Sequence, residues 1–217
     1  MADFGRADQA RNFPKGWWGC DLGSYRPCES TYQLYPYDSL PAPEESLFHG
    51  EFQWLISTGD EPLPPADPAP LQALQQAGLV LPQSFVDFMH SPELQRRVPS
   101  CTACEWDLSG PIPSPLGDGA HLVRFLRDQQ DVLFWYLYLR LDTSPAESAA
   151  VVCSPIAFDQ HDLSQRRDEV LANTWWCAPD FEHFVYRFWI ENVLWFTLNE
   201  AGERDATQEA YLSHYAG

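Results

Sequence analysis

An unbroken apolar run from Val132 to Leu139, VLFWYLYL, constrains what this chain can fold into more than any other feature. Eight such residues, rich in aromatics, fit a strand buried on both faces better than a helix, which usually runs to about ten residues or more. Polar residues 127–131 precede the run. Before them, side chains alternate between two faces, one with Leu122, Arg124 and Leu126 and the other with Val123 and Phe125. The stretch 121–141 therefore predicts a β-hairpin at the centre of a sheet.

A strand buried on both faces must be covered by other elements. Residues 149–154, AAVVCS, fit a third strand after a turn at 142–148, which predicts a three-stranded antiparallel meander. Pro179 and Asp180 open a predicted helix of about twenty residues, and Gly202 lies just past its end. Because this helix has little polar face, we expect it to be largely buried against the sheet.

Shorter helices are predicted from Leu71, from Pro82 and within 203–215, and Ser91 is a candidate helix N-cap. Residues 44–58 are rich in apolar side chains, and short helix and strand both fit them. Together these elements predict an α+β fold, with a mixed, mainly antiparallel sheet built on a central hairpin or meander and flanked by helices.

The proline-rich segment 60–70, DEPLPPADPAP, predicts a surface linker, because prolines remove backbone donors and favour extended conformations. Residues 1–69 are therefore interpreted as an N-terminal extension with its linker, and residues 70–217 as a single domain. The extension is aromatic and shows no sustained helical or strand period. So many aromatic rings are costly to leave in water, so we expect it to wrap the domain or a partner.

The chain is strongly acidic, with 13 Lys and Arg against 31 Asp and Glu and a formal charge of −18. Such a charge repels phosphate and argues against nucleic acid or an anionic membrane as the ligand, whereas a basic protein would be attracted. Acidity that serves only solubility is the alternative. The sequence shows no membrane-length apolar run and no signal-peptide pattern, so we expect a cytoplasmic protein with reduced thiols.

The most suggestive chemical motif is Cys101-Thr102-Ala103-Cys104. Two cysteines at this spacing can bind zinc, form a redox pair, or simply pack as reduced thiols. A structural zinc site needs four ligands, and the chain has no second CxxC and no HxxxH. His161 and Asp162 could act as a general base, but no activated nucleophile, hydrolase elbow or phosphate-binding loop accompanies them. We therefore expect neither a metal, nor a cofactor, nor an enzyme.

Charged residues concentrate at the hairpin turn, where Arg124, Arg127 and 128–131 follow one another closely. A solvated turn without a binding role is one interpretation of these charges, since exposed ion pairs contribute little to stability. The functional alternative is a contact surface for a basic protein, in which an exposed Trp sits among carboxylates. Its candidate residues are Glu105, Trp106, Asp107, Asp118, Asp128 and Asp131.

Two segments resemble the SMI1/KNR4, or SUKH, superfamily. GLVLPQSFVDFM resembles its short "LP-x-S-[aromatic]-x-x-F" helix, and HLVRFLRDQQDVLFWYLYL resembles its following apolar strand, polar turn and Trp-containing strand. The resemblance covers roughly residues 70–198 and suggests a divergent bacterial member. His90-Ser91-Pro92 stands where the family typically has Asn-Gly, and residues 1–70 have no counterpart.

The resemblance implies an α+β sheet flanked by helices. It also implies a non-enzymatic protein-binding role, because bacterial members are largely immunity proteins that neutralise toxins, many of them nucleases. Two alternatives remain open. One is a regulatory scaffold whose N-terminal arm docks on a partner, and the other is a metal- or thiol-dependent enzyme that uses Cys101 and Cys104.

Overall fold

The computed structural model describes residues 13–56, 64–140, 149–161 and 166–216. Two short strands, β1 (Gly16–Gly19) and β2 (Gln33–Pro36), pair with each other. The main sheet contains β3 (Glu105–Trp106), β4 (Ile112–Pro113), β5 (His121–Arg127), β6 (Phe134–Leu139), β7 (Ala149–Ser154) and β8 (Trp175–Ala178). Its order is β3-β5-β6-β7-β8, β4 also pairs with β5, and all these pairs are antiparallel.

The helices are α1 (Ala69–Gln76), α2 (Gln83–His90), α3 (Pro92–Arg96), α4 (Arg167–Ala172), α5 (Phe181–Asn199) and α6 (Ala206–Ser213). Short 3-10 turns lie at Tyr37–Ser39, Glu45–Leu47, Gln53–Leu55 and Phe158–Gln160. Helices around a mostly antiparallel sheet confirm the predicted α+β class. The turn predicted at 142–148 lies outside the described residues. Within the described residues, no helix is both long enough and apolar enough to cross a membrane.

The central strand β6 is buried along its whole length, as the apolar run predicted. Trp135, Leu137 and Leu139 face the core cluster that contains α5. The other three side chains of β6, Phe134, Tyr136 and Tyr138, face a second cluster on the opposite side of the sheet. Alternation along a strand thus fills two hydrophobic layers at once.

Helix α5 covers one face of the sheet. It begins after Asp180, whose carboxylate accepts a hydrogen bond from the backbone N–H of His183 at 2.9 Å and so caps the first turn. Its inner side packs Phe181, Phe184 and Phe188 into the first core cluster. Its outer side carries Ile190 and Leu194 into a third cluster that also includes β1-flanking and α6 residues. Helix α5 therefore lies between the sheet on its inner side and α6, with the residues that flank β1, on its outer side.

A β-bulge corrects the predicted alternation of strand β5. Arg124 pairs with Tyr136, but the next pair is Leu126 with Trp135, so Phe125 is an extra residue on β5. The side chain of Leu126 consequently joins the first core cluster with Phe125, and does not share a face with Leu122 as the sequence alternation predicted. One inserted residue moves every later side chain of the strand to the opposite face of the sheet.

The segment 13–56 packs onto the rest of the chain. Strands β1 and β2 were not predicted, because each spans four residues without a sustained alternating pattern. Trp17 and Phe52 are both fully buried members of the first core cluster. The backbone N–H of Trp176 donates to the carbonyl of Pro14 at 3.0 Å, so the segment also covers the β8 edge. The division at residue 69 stays a prediction.

A buried network joins this segment to α5 and α6. Glu191 accepts hydrogen bonds from Arg26 Nη1 and Nη2, both at 2.6 Å, from Trp17 Nε1 at 2.8 Å and from the Tyr211 hydroxyl at 2.7 Å. Burial alone would raise the pKa of Glu191, but the Arg26 charge and these donors hold it below its ordinary value. We call Trp17, Arg26, Glu191 and Tyr211 the buried network.

Candidate functional site

The β5 bulge places two arginines on the same side of the sheet. Arg124 and Arg127 are three residues apart, and in a regular strand an odd separation would direct them to opposite faces. With Phe125 inserted, both guanidiniums reach Asp107, whose Oδ2 lies 2.9 Å from Arg124 Nη2 and 3.4 Å from Arg127 Nε. Asp107 follows β3, so the short edge strand supplies the carboxylate that bridges them.

Each arginine also holds further carboxylates. Arg124 Nη1 lies 2.5 Å from Asp159 Oδ2, and Arg127 lies 2.6 Å from Glu105 and 3.1 Å from Asp131. These four carboxylates surround two guanidiniums, so the group carries a net negative charge. We call Glu105, Asp107, Arg124, Arg127, Asp131 and Asp159 the charged cluster.

The charged cluster is buried at its base and open at its rim. Only 10% of the Arg124 side chain is exposed, whereas Glu105 and Asp131 are each about half exposed, at 50% and 51%. Burial would lower the pKa of Arg124, but hydrogen bonds and charge from Asp159 and Asp107 raise it, so this guanidinium stays ionised. Arg124 therefore holds Asp107 and Asp159 at the base of the cluster, whereas the half-exposed rim carboxylates Glu105 and Asp131 are held by Arg127, which is 32% exposed.

The hairpin turn beside the cluster is organised by Asp128. Its carboxylate accepts hydrogen bonds from the Gln130 backbone N–H and from the Tyr32 hydroxyl, both at 2.8 Å. Asp128 is only 1% exposed, which corrects its predicted place on a contact surface. Asp131 adopts a left-handed backbone with φ of 56°, which closes the turn and directs the chain back into β6. Asp128 thus supports the surface from within.

Two other residues predicted for the contact surface, Trp106 and Asp118, lie apart from its exposed carboxylates. Trp106 is half-buried, and its ring centroid lies 4.7 Å from that of Phe88, so it is not the exposed ring expected among carboxylates. Asp118 precedes the opposite end of β5, where it accepts hydrogen bonds from the Tyr138 hydroxyl and from the Ala120 backbone N–H at 3.1 Å. The structure therefore brings together Glu105, Asp107 and Asp131, but not Asp118.

The cysteines of the CxxC motif face different neighbours. The Cys20 thiol donates to the Glu191 carbonyl at 3.6 Å, and interaction between the Cys20 and Cys101 thiols lowers the pKa of Cys101 and raises that of Cys20. Cys104 lies 3.3 Å from Thr102 Oγ1, and burial raises the pKa of its thiol. Among the described residues, no three or more His, Cys, Asp or Glu side chains are grouped so that they could hold a metal ion.

Sequence reasoning did not find Asp159. It lies 35 residues from Arg124 in the chain, in the Phe158–Gln160 turn, and no local pattern marks it as a partner. His161, two residues further on, is exposed. Asp162, the other half of the predicted general-base pair, lies outside the described residues.

Comparisons with known proteins give no match to this chain among protein-family models, curated proteins or solved structures. The charged cluster is accordingly interpreted from its own geometry and chemistry.

Proposed function

We propose that this chain is a non-enzymatic protein-binding module that binds a basic protein through the charged cluster, and that it acts as an immunity-type inhibitor of a toxin. The resemblance of residues 70–198 to the SMI1/KNR4 superfamily suggests the toxin. The observation that carries the binding role is the cluster itself, in which two arginines hold four carboxylates, two of them about half exposed.

Fixed carboxylates favour binding because their side chains are already ordered. A flexible Glu or Asp loses rotamer freedom when it meets a partner, and this loss weakens association. At the charged cluster, Arg127 holds Glu105 and Asp131 before any partner arrives. A Lys or Arg of the partner would meet acceptors in place and form charge-assisted hydrogen bonds.

The charge of the whole chain supports the same proposal. Several cations of the described residues pair with carboxylates of this chain, including Lys15 with Asp38, Arg97 with Glu93, Arg166 with Glu169 and Arg204 with Glu209. The excess of −18 therefore belongs to carboxylates, which attract a basic surface and steer its approach. It also repels phosphate, so the proposal includes no nucleic acid, and we place the protein in the cytoplasm without a cofactor.

The proposal can be tested by affinity purification with a cluster variant and a variant of matched charge. The cluster variant carries Glu105→Gln, Asp107→Asn and Asp131→Asn. The matched variant removes three exposed carboxylates elsewhere, with Glu29→Gln, Glu200→Gln and Glu203→Gln. We expect a basic protein to co-purify with the wild type and the matched variant, and the cluster variant to lose about tenfold or more in affinity for that protein.

Salt dependence separates the electrostatic contribution from other contacts. Affinity for the co-purified protein should fall as NaCl rises, because exposed charges are screened over about 10 Å at 0.1 M. Binding that is indifferent to salt, or that the two triple variants weaken equally, would contradict a role for the charged cluster.

A further inference from the structure

A cavity of about 650 Å³ opens beside the second core cluster, on the face of the sheet away from α5. Phe158 is one of its lining residues; it is 1% exposed and stacks on Tyr136 with ring centroids 4.5 Å apart. One wall is the proline-rich loop 110–115, which includes Ile112. This volume lies in the range of roughly 300–1,000 Å³ that is typical of small-molecule sites, which are mostly apolar with few polar groups.

The wall of this cavity is formed before any ligand enters. The Ser114 backbone N–H donates to the Ala120 carbonyl at 2.9 Å, and the Gly117 N–H donates to the Ser114 carbonyl at 3.1 Å. Prolines fix the backbone angles of the loop and present ring carbons without backbone donors. A ligand would therefore meet a rigid apolar surface and would not have to order it.

The lining of the cavity also includes the polar groups Asp159, His161 and Arg167. Asp159 Oδ2 lies 2.5 Å from Arg124 Nη1, so its charge is partly offset within the protein. Arg167 Nη2 donates to the Leu116 carbonyl at 2.8 Å, and no carboxylate of the described residues lies within ion-pairing distance of this guanidinium. Within the described ranges, its other guanidinium nitrogens have no hydrogen-bond acceptor and can donate to an anion.

The neighbouring Arg166, unlike Arg167, is paired with a carboxylate of the described residues. Arg166 forms a bidentate pair with Glu169, with Nε–Oε2 and Nη2–Oε1 distances of 2.7 and 2.5 Å. Arg167 follows it directly, yet lies at the cavity. We infer that this cavity binds an apolar organic anion, whose hydrocarbon part lies against the exposed prolines of residues 110–115 and whose acid group meets the Arg167 guanidinium.

Two fluorescent probes test the inference. 8-Anilinonaphthalene-1-sulfonate carries an acid group on an apolar aromatic body, and N-phenyl-1-naphthylamine has the same body without the acid. We expect saturable binding of the sulfonate by the folded full-length chain. Arg167→Gln should weaken it by about tenfold or more, because charge-assisted hydrogen bonds are lost. The neutral probe should be unaffected by Arg167→Gln, and Arg166→Gln should leave the binding of both probes unchanged.

A blocking variant checks the location. A Cβ added at Gly110 meets no atom within 4 Å, so Gly110→Trp can be introduced without a backbone clash and should fill the cavity. We expect it to abolish binding of both probes while circular dichroism and the urea midpoint stay as in the wild type. Absence of saturable sulfonate binding, an equal loss with Arg166→Gln, or binding unchanged by both Arg167→Gln and Gly110→Trp would overturn the inference. None of these outcomes bears on the charged cluster's partner.

Discussion

The buried network and the charged cluster use the same pairing of guanidinium with carboxylate in opposite surroundings. In the buried network, the Arg26 and Glu191 side chains are 5% and 2% exposed, and the Glu191 carboxylate accepts four hydrogen bonds. In the charged cluster, Arg127 is 32% exposed and its partners Glu105 and Asp131 are about half exposed. The buried network is closed to solvent, whereas the exposed carboxylates of the charged cluster can still accept hydrogen bonds from a partner.

This difference separates stability from binding. Both members of a buried ion pair have lost their hydration, so removal of one member leaves an uncompensated charge in the core. An exposed pair keeps its water, and its removal has little effect on folding. The buried network therefore holds the N-terminal segment, α5 and α6 together, whereas the exposed part of the charged cluster, Glu105, Arg127 and Asp131, can be altered without loss of the fold.

Glu191→Gln should produce the largest effect. The amide keeps the size of the side chain but removes the negative charge that compensates Arg26. We expect the free energy of unfolding to fall by about 3–5 kcal/mol, as measured by urea denaturation. Asp131→Asn removes the same charge from the turn and serves as the control. Equal midpoints for the two variants would break the distinction between the regions.

Gly19→Ala should produce the next largest effect, through the same network. A Cβ at this position would lie 2.8 Å from Glu191 Oε2 and would also overlap Arg26 Nη2. Arg26 cannot move aside easily, because it is buried and bound to Glu191 through both terminal nitrogens. We expect a loss of about 1–3 kcal/mol in urea denaturation, typical of overpacking.

Gly110→Ala is the matched control for that substitution. Its Cβ meets nothing within 4 Å, and the Gly110 backbone is not in the left-handed region. We expect its stability to equal that of the wild type or to exceed it by up to about 1 kcal/mol, since alanine restricts the unfolded chain. If both alanine variants are destabilised equally, the steric argument for Gly19 is wrong.

The sequence predicted the elements with strong local patterns. The apolar run of β6 and the capped helix α5 were expected close to where they lie, because periodicity and helix signals act over neighbouring residues. Short strands such as β8 and the four-residue β1 carry too few residues for a period to appear. Local pattern is therefore a good guide to long elements and a poor one to the edges of the sheet.

Neither charged region could be predicted in full. Arg26 and Glu191 are 165 residues apart, and their pairing depends on how the N-terminal segment folds back over α5. At the charged cluster, Glu105, Asp107 and Asp131 were named as candidates, but their arrangement depends on the bulge at Phe125. No residue type in this strand marks the bulge, so alternation placed Leu126 on the wrong face and left the shared orientation of Arg124 and Arg127 unrecognised.

Arg127→Gln should have the smallest effect on folding and the most informative effect on binding. We expect no measurable shift in the urea midpoint, because this guanidinium and its partners are partly solvated. The substitution makes the chain more negative, so charge alone predicts tighter binding of the co-purified basic protein. Preordered carboxylates predict the opposite. Affinity should fall by about fivefold, because without Arg127 the side chains of Glu105 and Asp131 must become ordered on binding. Tighter binding by this variant, measured at equal salt, would show that net charge and not preorganised geometry recognises the partner.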